Sequence, residues 1–238
     1  MGNAWFDIAS PEHFWIRRRF EVLRNLAADI DWHRLKIAEI GCGNGMIQRQ
    51  FEDQLEMEID GFDLNEKALQ SSVSRKSQRF CYNLYDRNDR LRQAYDGLLF
   101  FDVIEHIEDH RAFLEAARFH LKPGGFVIIN VPALPTLFSA YDVAAGHVRR
   151  YLAEDLVSLV EKSGLQPGPW TYWGKPMLPL LRLRKFRMER MKNEADRLRD
   201  GFDSRGAFTN AALLALSRLE SLPRHDTGTS LMLLATVC

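Results

Sequence analysis

Five groups of residues in this chain have types and spacing that can do chemistry. The stretch Glu39-Ile-Gly-Cys-Gly-Asn-Gly-Met-Ile47 sets Gly41, Gly43 and Gly45 at alternate positions after a short apolar run. Glycines accept positive φ and carry no Cβ, so the backbone there can approach a nucleotide closely. Asp63 follows about twenty residues on, where a carboxylate can accept both hydroxyls of a ribose. His106, in Asp-Val-Ile-Glu-His-Ile-Glu-Asp, has an imidazole whose ordinary pKa of about 6.5 suits proton removal near neutrality. A second polar cluster, Ser139 to Tyr151, holds Tyr141, Asp142, His147, Arg149, Arg150 and Tyr151. There His147 is a rival base, and the arginine fork fits a carboxylate or phosphate on an acceptor. An N-terminal group, Phe14, Trp15 and Arg18, could line an acceptor pocket. Each has a plainer reading. His106 can cap the next helix or shape a pocket wall, and Glu105 reads as structural or as a cofactor neighbour. Arg149 and Arg150 can pair with Glu154 or Asp155, Tyr151 can serve as a helix-start residue, and His13 reads as a surface residue.

The elements that must position these groups alternate in type. Ser10, Pro11 and Glu12 read as a helix start, and Ile16, Phe20, Leu23, Ala27 and Ile30 recur at helical spacing. Residues 35–40 read as a buried strand leading through the glycine loop into a helix with Met46, Ile47 and Phe51. Further strands are expected at 57–63, near Arg79–Tyr82, at 97–101 and at 126–132, with helices between them. The helix after His110 is expected to stop at Lys122-Pro-Gly-Gly125. A helix ending at Gly164 follows, then strands at 166–173 and 229–237, with about fifty residues between them that read as helical. Alternating strands and helices imply right-handed crossovers and a parallel sheet covered on both faces. The expected divisions are a helical cap (1–34), a cofactor core (35–132), a substrate loop (133–151), a helical insertion (174–227) and a last strand (228–238).

Two ligands compete for the glycine loop. A dinucleotide site expects a third small residue, but Met46 stands there. With the observed Glu-x-Gly-x-Gly-x-Gly, Asp63 after the next strand, Asp-Val-Ile-Glu-His after the fourth and Leu-Lys-Pro-Gly-Gly before the fifth, the chain resembles a class I S-adenosylmethionine-dependent methyltransferase. The resemblance covers about residues 36–165, and looks closest to the small-molecule group that includes the ubiquinone-pathway enzymes. It implies a doubly wound, Rossmann-like α/β fold of seven mostly parallel strands, the last inserted antiparallel after a helical insertion. It implies S-adenosyl-L-methionine as cofactor, and its lack of phosphate agrees with a loop lacking lysine. Carried over, Glu39 would orient the amino group, Gly41, Cys42, Gly43, Asn44 and Gly45 would pass the ligand, and Asp63 would hold the ribose. Leu64 would lie on the adenine, Asn83 (with Asp86 second) and Leu84 would border it, and Phe101 and Asp102 would flank the methionine part. The activity implied is methyl transfer to oxygen, or to nitrogen, of a small molecule, with His106 or His147 as base. A nicotinamide-dependent oxidoreductase and a non-catalytic adenosyl-binding module remain rivals.

Bulk properties narrow the field. The 238 residues are 46% apolar and 27% charged, enough for a substantial core, and thirty-two basic residues balance thirty-two acidic ones. That balance gives nucleic acid no general attraction. Cys42, Cys81 and Cys238 form no CxxC pair, so no metal site and no disulfide scaffold are expected, in keeping with a reducing cytoplasm. No signal segment or membrane span is expected. Residues 175–199 are basic and punctuated by Leu181, Met188 and Met191. They read as a lid, a homodimer arm or a peripheral membrane contact.

Overall fold

The computed structural model describes residues 10–191 and 206–237. Ser10 and Pro11 make a turn rather than a helix start: Ser10 Oγ accepts from Glu12 N at 3.2 Å and the Ser10 carbonyl from His13 N at 2.9 Å. Helix α1 (Phe14–Leu26) begins later and is capped by His13, whose Nδ1 accepts the Trp15 amide. His13 is therefore buried, not a surface residue. Its short imidazole supplies the acceptor that serine would otherwise give to an orphan N–H.

Seven strands form one sheet: β1 (Ile37–Ile40), β2 (Asp60–Asp63), β3 (Arg79–Cys81), β4 (Tyr95–Phe101), β5 (Leu121–Pro132), β6 (Leu165–Trp173) and β7 (Ser230–Val237), in the order β3-β2-β1-β4-β5-β7-β6. The first five pair in parallel; β7 runs antiparallel to both β5 and β6. The strand expected at 126–132 starts at Leu121 instead, because Leu121 pairs with Tyr95 across a register shift before Gly97. The strand expected from residue 57 begins only at Asp60.

Successive strand residues face opposite sides of the sheet. Leu98 and Val127 point to one core with Phe113, Leu114, Leu156 and Val160; Leu99 and Ile128 point to the other with Phe20, Leu23, Ile47 and Phe51. The first core is roofed by α4 (His110–His120) and α6 (Ala153–Lys162), the second by α1 and α2 (Met46–Leu55). Both faces are covered, as a parallel sheet requires. Short helices α3 (Glu66–Gln70) and α5 (Ala140–Ala145) follow β2 and β5.

The long connection from β6 to β7 carries α7 (Leu178–Met188) and α8 (Ala207–Ser217). The helical reading fails beyond Ser217, where turns lead to β7, and its middle part, 192–205, lies outside the described residues. α8 fastens α1: Asn210 Oδ1 accepts from Phe14 N at 2.7 Å and its Nδ2 donates to the Glu12 carbonyl at 2.8 Å. α7 lies on α5, where Met188 packs with Tyr141 and Ala145.

Candidate active site

The glycine turn joins β1 to α2 at the carboxyl end of the sheet. Gly41, Gly43 and Gly45 all have positive φ, at 72°, 53° and 77°. A Cβ on Gly41 would stand 2.6 Å from Val103 Cγ2, and one on Gly45 would stand 2.7 Å from Ser72 Oγ. The residue type is thus dictated by backbone and by space together.

A cleft of about 790 Å³ opens over this turn. Its walls include Glu39, the residues 41–44, Asp63, Leu64, Asn83, Leu84, Phe101, Asp102 and His106. Nearly all the expected cofactor residues are brought together, Gly45 standing just behind the wall as N-cap of α2. Leu64 is 64% exposed, an apolar surface turned to the opening. Asn83 Oδ1 is engaged by Tyr85 N at 3.1 Å, capping a short turn. Asp86 does not reach the cleft wall.

Asp63 tightens the turn from across the cleft. Its Oδ2 accepts from Gly43 N and its Oδ1 from Asn65 N, both at 2.7 Å. Each carboxylate oxygen keeps a further lone pair, so the group can hold the loop and still receive hydroxyls. Glu39 is different. It is buried in β1, its Oε2 has no partner among the described residues, and burial, against the pull of Arg19, pushes its carboxyl pKa well up. Asn44 Oδ1 is likewise buried and unpartnered. Unmet polar atoms lining a cleft are costly unless a ligand satisfies them.

Asp102, at the end of β4, has the unusual φ of 57° for a non-glycine residue. Two partners hold it there: Asn130 Nδ2 donates to Oδ1 at 2.7 Å and Arg19 Nη1 to Oδ2 at 2.5 Å. Strain of this kind persists only where surroundings over-determine it. Arg19 also lies 5.2 Å from the Phe101 ring centroid and lines the cleft. Arg19 and Asn130 escaped the sequence reading. Arg19 carried a signal, since the helical stripe through Ile16, Phe20 and Leu23 turns position 19 toward the sheet end.

The residues expected on the acceptor side are distributed differently. Trp15 stacks on Trp173 with centroids 4.3 Å apart, and Arg18 is buried against Glu21 and Glu220 at 3.2 and 3.3 Å. Neither they nor Phe14 line the cleft. Tyr141 is buried beneath α7, with the Arg184 guanidinium 4.3 Å from its ring centroid. The arginines do not pair with Glu154 or Asp155. Arg150 is buried, its Nε donating to Asp142 Oδ1 at 2.8 Å and its Nη1 to the Ala133 carbonyl at 3.2 Å. Arg149 Nη2 reaches back to the Glu108 carbonyl at 3.0 Å. Tyr151, buried, meets His110 Nδ1 at 2.7 Å and donates to the Ile104 carbonyl at 3.2 Å. The Arg-Arg-Tyr run thus clamps the loop after β5 to the turn after β4.

The two histidines meet at that clamp, with ring centroids 4.8 Å apart. His106 reaches the Gly146 carbonyl through Nδ1 at 2.9 Å, and its buried Nε2 has no described partner. Burial, and then the neighbouring His147, lower its pKa to about 4, so it is neutral at pH 7 and weakly basic. His147 Nδ1 bonds Asp142 Oδ1 at 3.0 Å. Burial pushes the Asp142 carboxyl up, but bonds from His147 and Arg150 outweigh it and hold the pKa at about 2.

The cleft therefore brings Glu39, the glycine turn, Asp63 and Leu64 together at the carboxyl end of a doubly wound sheet, where such sheets bind nucleoside ligands. Comparison with known proteins agrees. The methyltransferase domain family matches residues 14–167, and the chain belongs to that family: it is a class I, S-adenosylmethionine-dependent methyltransferase. It is 28% identical over 163 residues to a ubiquinone biosynthesis O-methyltransferase of Cereibacter sphaeroides, covering 60% of this chain and 65% of that relative. The corresponding enzyme of a Shewanella species is 23% identical over 139 residues, 55% of this chain and 58% of its own length. The matched stretch thus spans less than two thirds of these relatives. Among solved structures, an S-adenosylmethionine-dependent methyltransferase from Archaeoglobus fulgidus superimposes with a TM-score of 0.55 at 14% identity, over 92% of this chain and 94% of that one. The [4+2]-cyclase SpnF has a TM-score of 0.59 at 15% identity, over 92% of this chain and 81% of its own. Those two likenesses show the fold alone.

Proposed function

We propose that the protein methylates an oxygen on a small hydroxyl-bearing acceptor. One observation carries the cofactor side: Glu39 Oε2 is buried without a partner beside a positive-φ glycine turn that Asp63 tethers. The oxygen preference rests on the curated relatives, which are O-methyltransferases. The donor fits the residues present: Glu39 would take its amino group, Asp63 its ribose, and Leu64 its adenine face. When bound, it supplies an electrophilic sulfonium methyl, and the carbon–sulfur bond breaks with its electron pair left on sulfur.

The chain's own part is alignment, shielding and proton removal. Arg19, Asn130 and the strained Asp102 fix the floor beside Phe101, and holding two reactants in line can supply about 7–11 kcal/mol of a barrier. The acceptor's hydroxyl proton must leave as the new oxygen–carbon bond forms. His106 is the imidazole on the cleft wall, and in its neutral form it can take that proton or hand it to water.

Titration of the wild type, Glu39→Gln and Asp63→Asn with S-adenosylhomocysteine in a calorimeter tests the cofactor side. A hydrogen bond to a charged group is worth about 1.5–3 kcal/mol, so each variant should bind roughly 10- to 150-fold more weakly while melting near the wild-type temperature. Equal affinities would remove both roles. Incubation with isotopically labelled donor and a panel of phenols, alcohols and amines then reads the acceptor class, and label found only on nitrogen would refute the oxygen assignment.

A further inference from the structure

Behind the cleft wall one donor atom from each of Glu105, His106 and His147 lies within 4.8 Å of the other two. Glu105 is completely buried, and neither of its carboxylate oxygens has a described partner. Such a group is expensive as an anion and nearly as awkward as a neutral acid, because it needs a donor or an acceptor and finds none. His147 Nε2 stands 3.9 Å from Glu105 Oε1, too far for a carboxyl proton to bridge.

The two imidazoles are oriented alike. The Gly146 carbonyl can only accept, so the His106 proton sits on Nδ1 and Nε2 carries the lone pair. The Asp142 carboxylate, which also accepts from Ser139 and Arg150, likewise takes the Nδ1 proton of His147 and leaves a lone pair on its Nε2. Two imidazoles with their second nitrogens fixed by a carbonyl and a carboxylate, next to a buried carboxyl group with no described partner, turn their lone pairs toward one small space. Outer partners of this kind hold the histidines of metal sites in the ligating tautomer. Asp142 is itself anchored by Ser139 N at 2.9 Å, Ser139 Oγ at 3.0 Å and Arg150 Nε at 2.8 Å, so the His147 ring is held firmly. Asp102 nearby already spends its charge on the Arg19 guanidinium and is held by Asn130.

We propose that Glu105, His106 and His147 bind one divalent transition cation of the zinc, cobalt or manganese class. Two nitrogens and one carboxylate are an accepted ligand set for such ions, at about 2.0–2.2 Å from the metal. Ligands at that distance stand roughly 3.4 Å apart around a tetrahedral ion, so the widest pair must close from 4.8 Å by about 1.4 Å, a change made by side-chain torsions. His106 also lines the cleft, so the cation would be held beside the space the acceptor would enter. There the cation would ease loss of the acceptor's hydroxyl proton. That use rests on the methyltransferase reading; binding of the cation does not. The expectation of no metal site rested on the unpaired cysteines, whereas these ligands are a carboxyl and two imidazoles, with Glu105 and His106 on one side and His147 more than forty residues on.

The full chain, stripped with a chelator, is titrated with Co²⁺ while its visible ligand-field spectrum is recorded, and with Zn²⁺ by calorimetry. The expected result is one equivalent bound, with d–d bands of a low-coordinate site. Glu105→Gln and His147→Ala should each weaken binding at least roughly 10- to 100-fold. His33→Ala, on an exposed residue far in sequence from the cluster, should leave it unchanged. Failure of the wild type to bind one equivalent, or wild-type affinity in both cluster variants, overturns the proposal. If either cluster variant unfolds, the other and the wild-type stoichiometry still decide. S-Adenosylhomocysteine affinity, measured on the same samples, separates the two ideas: cofactor binding without cation binding sinks only the metal site, and the reverse sinks only the cofactor assignment.

Discussion

The glycine turn with Asp63 and the loop from Ser139 to Tyr151 lie at the same end of one sheet, yet they are built in opposite ways. On the cofactor side, function resides in backbone: three positive-φ glycines, two main-chain donors on Asp63, and space that a single Cβ would fill. Polar atoms there are left open, as at Glu39 and Asn44. On the acceptor side, side chains are spent on each other. Asp142, His147 and Arg150 bond to one another, Tyr151 bonds to His110 and the Ile104 carbonyl, and among the described residues the two histidine rings with Glu105 keep unused capacity. A backbone site tolerates change in its surroundings but not in its glycines, whereas a network fails when any member is removed.

The largest effect should come from breaking that network. Arg150→Ala strands the buried Asp142 carboxylate, and loss of one partner of a buried ion pair costs about 3–5 kcal/mol. Chemical denaturation should show it, with cofactor affinity of the surviving folded fraction little changed. A small loss of stability accompanied by a large rise in acceptor KM would mean that Arg150 serves substrate after all, and the contrast between the two sides would fall.

Next in size is a support of the cofactor side. Glu52 on α2 accepts from Ser74 Oγ at 2.7 Å and from the amides of Arg75, Lys76 and Ser77 at 2.9, 3.0 and 2.8 Å. Burial alone would raise its pKa, but these bonds win and hold it at about 2. The folded value is depressed below the ordinary 4.5, so the stabilisation is complete above pH 4.5 and fades as pH falls toward 2. Glu52→Gln should cost about 1–3 kcal/mol at pH 7. Melting curves of the two proteins should converge between pH 5 and pH 2. A gap that stays constant with pH would show that the carboxylate charge is not what matters.

How much of this was legible beforehand follows from the same contrast. The turn, Asp63 and the alternation of strands with helices could be read from sequence because glycine spacing and apolar periodicity are local. The β5 start at Leu121 could not, since it depends on pairing with Tyr95 across a bulge. Arg19 sits far in sequence from the Asp102 it supports, and Asp142 is eight residues before the arginine it pairs with, while Glu154 and Asp155 were nearer candidates. Charge pairing is set by which strand ends meet, and no window of sequence contains that.

Gly41→Ala sharpens the comparison further. A non-glycine residue in left-handed conformation costs about 1–2 kcal/mol, and its Cβ would meet Val103 Cγ2. The turn should shift, with cofactor affinity falling roughly 10-fold, the equivalent of about 1.4 kcal/mol. Pairing it with Val103→Ala should restore part of the loss, because the steric share is relieved and the torsional share is not. Complete recovery would mean that backbone conformation is immaterial there.

The smallest effect tests the edge of the clamp. Arg149 is only partly buried, and its bonds run to the Glu108 carbonyl and, at 3.8 Å, to an exposed Glu108 carboxylate. An ion pair so placed contributes about 0–1 kcal/mol, so Arg149→Ala should barely move the melting temperature. Its guanidinium nevertheless crosses from the loop after β5 to the turn that carries Glu105 and His106. If the clamp acts only by holding those two loops together, Arg149→Lys should behave as the alanine variant does, because the compact ammonium on its different stem does not place a donor where Nη2 meets the Glu108 carbonyl. If Arg149 instead meets an anionic group on the acceptor, lysine should recover much of kcat/KM, and the recovery should shrink as salt is added. Stability and the kinetic split between the two substitutions thus tell a fastening residue from a recognition residue at the one position of the run that solvent still reaches.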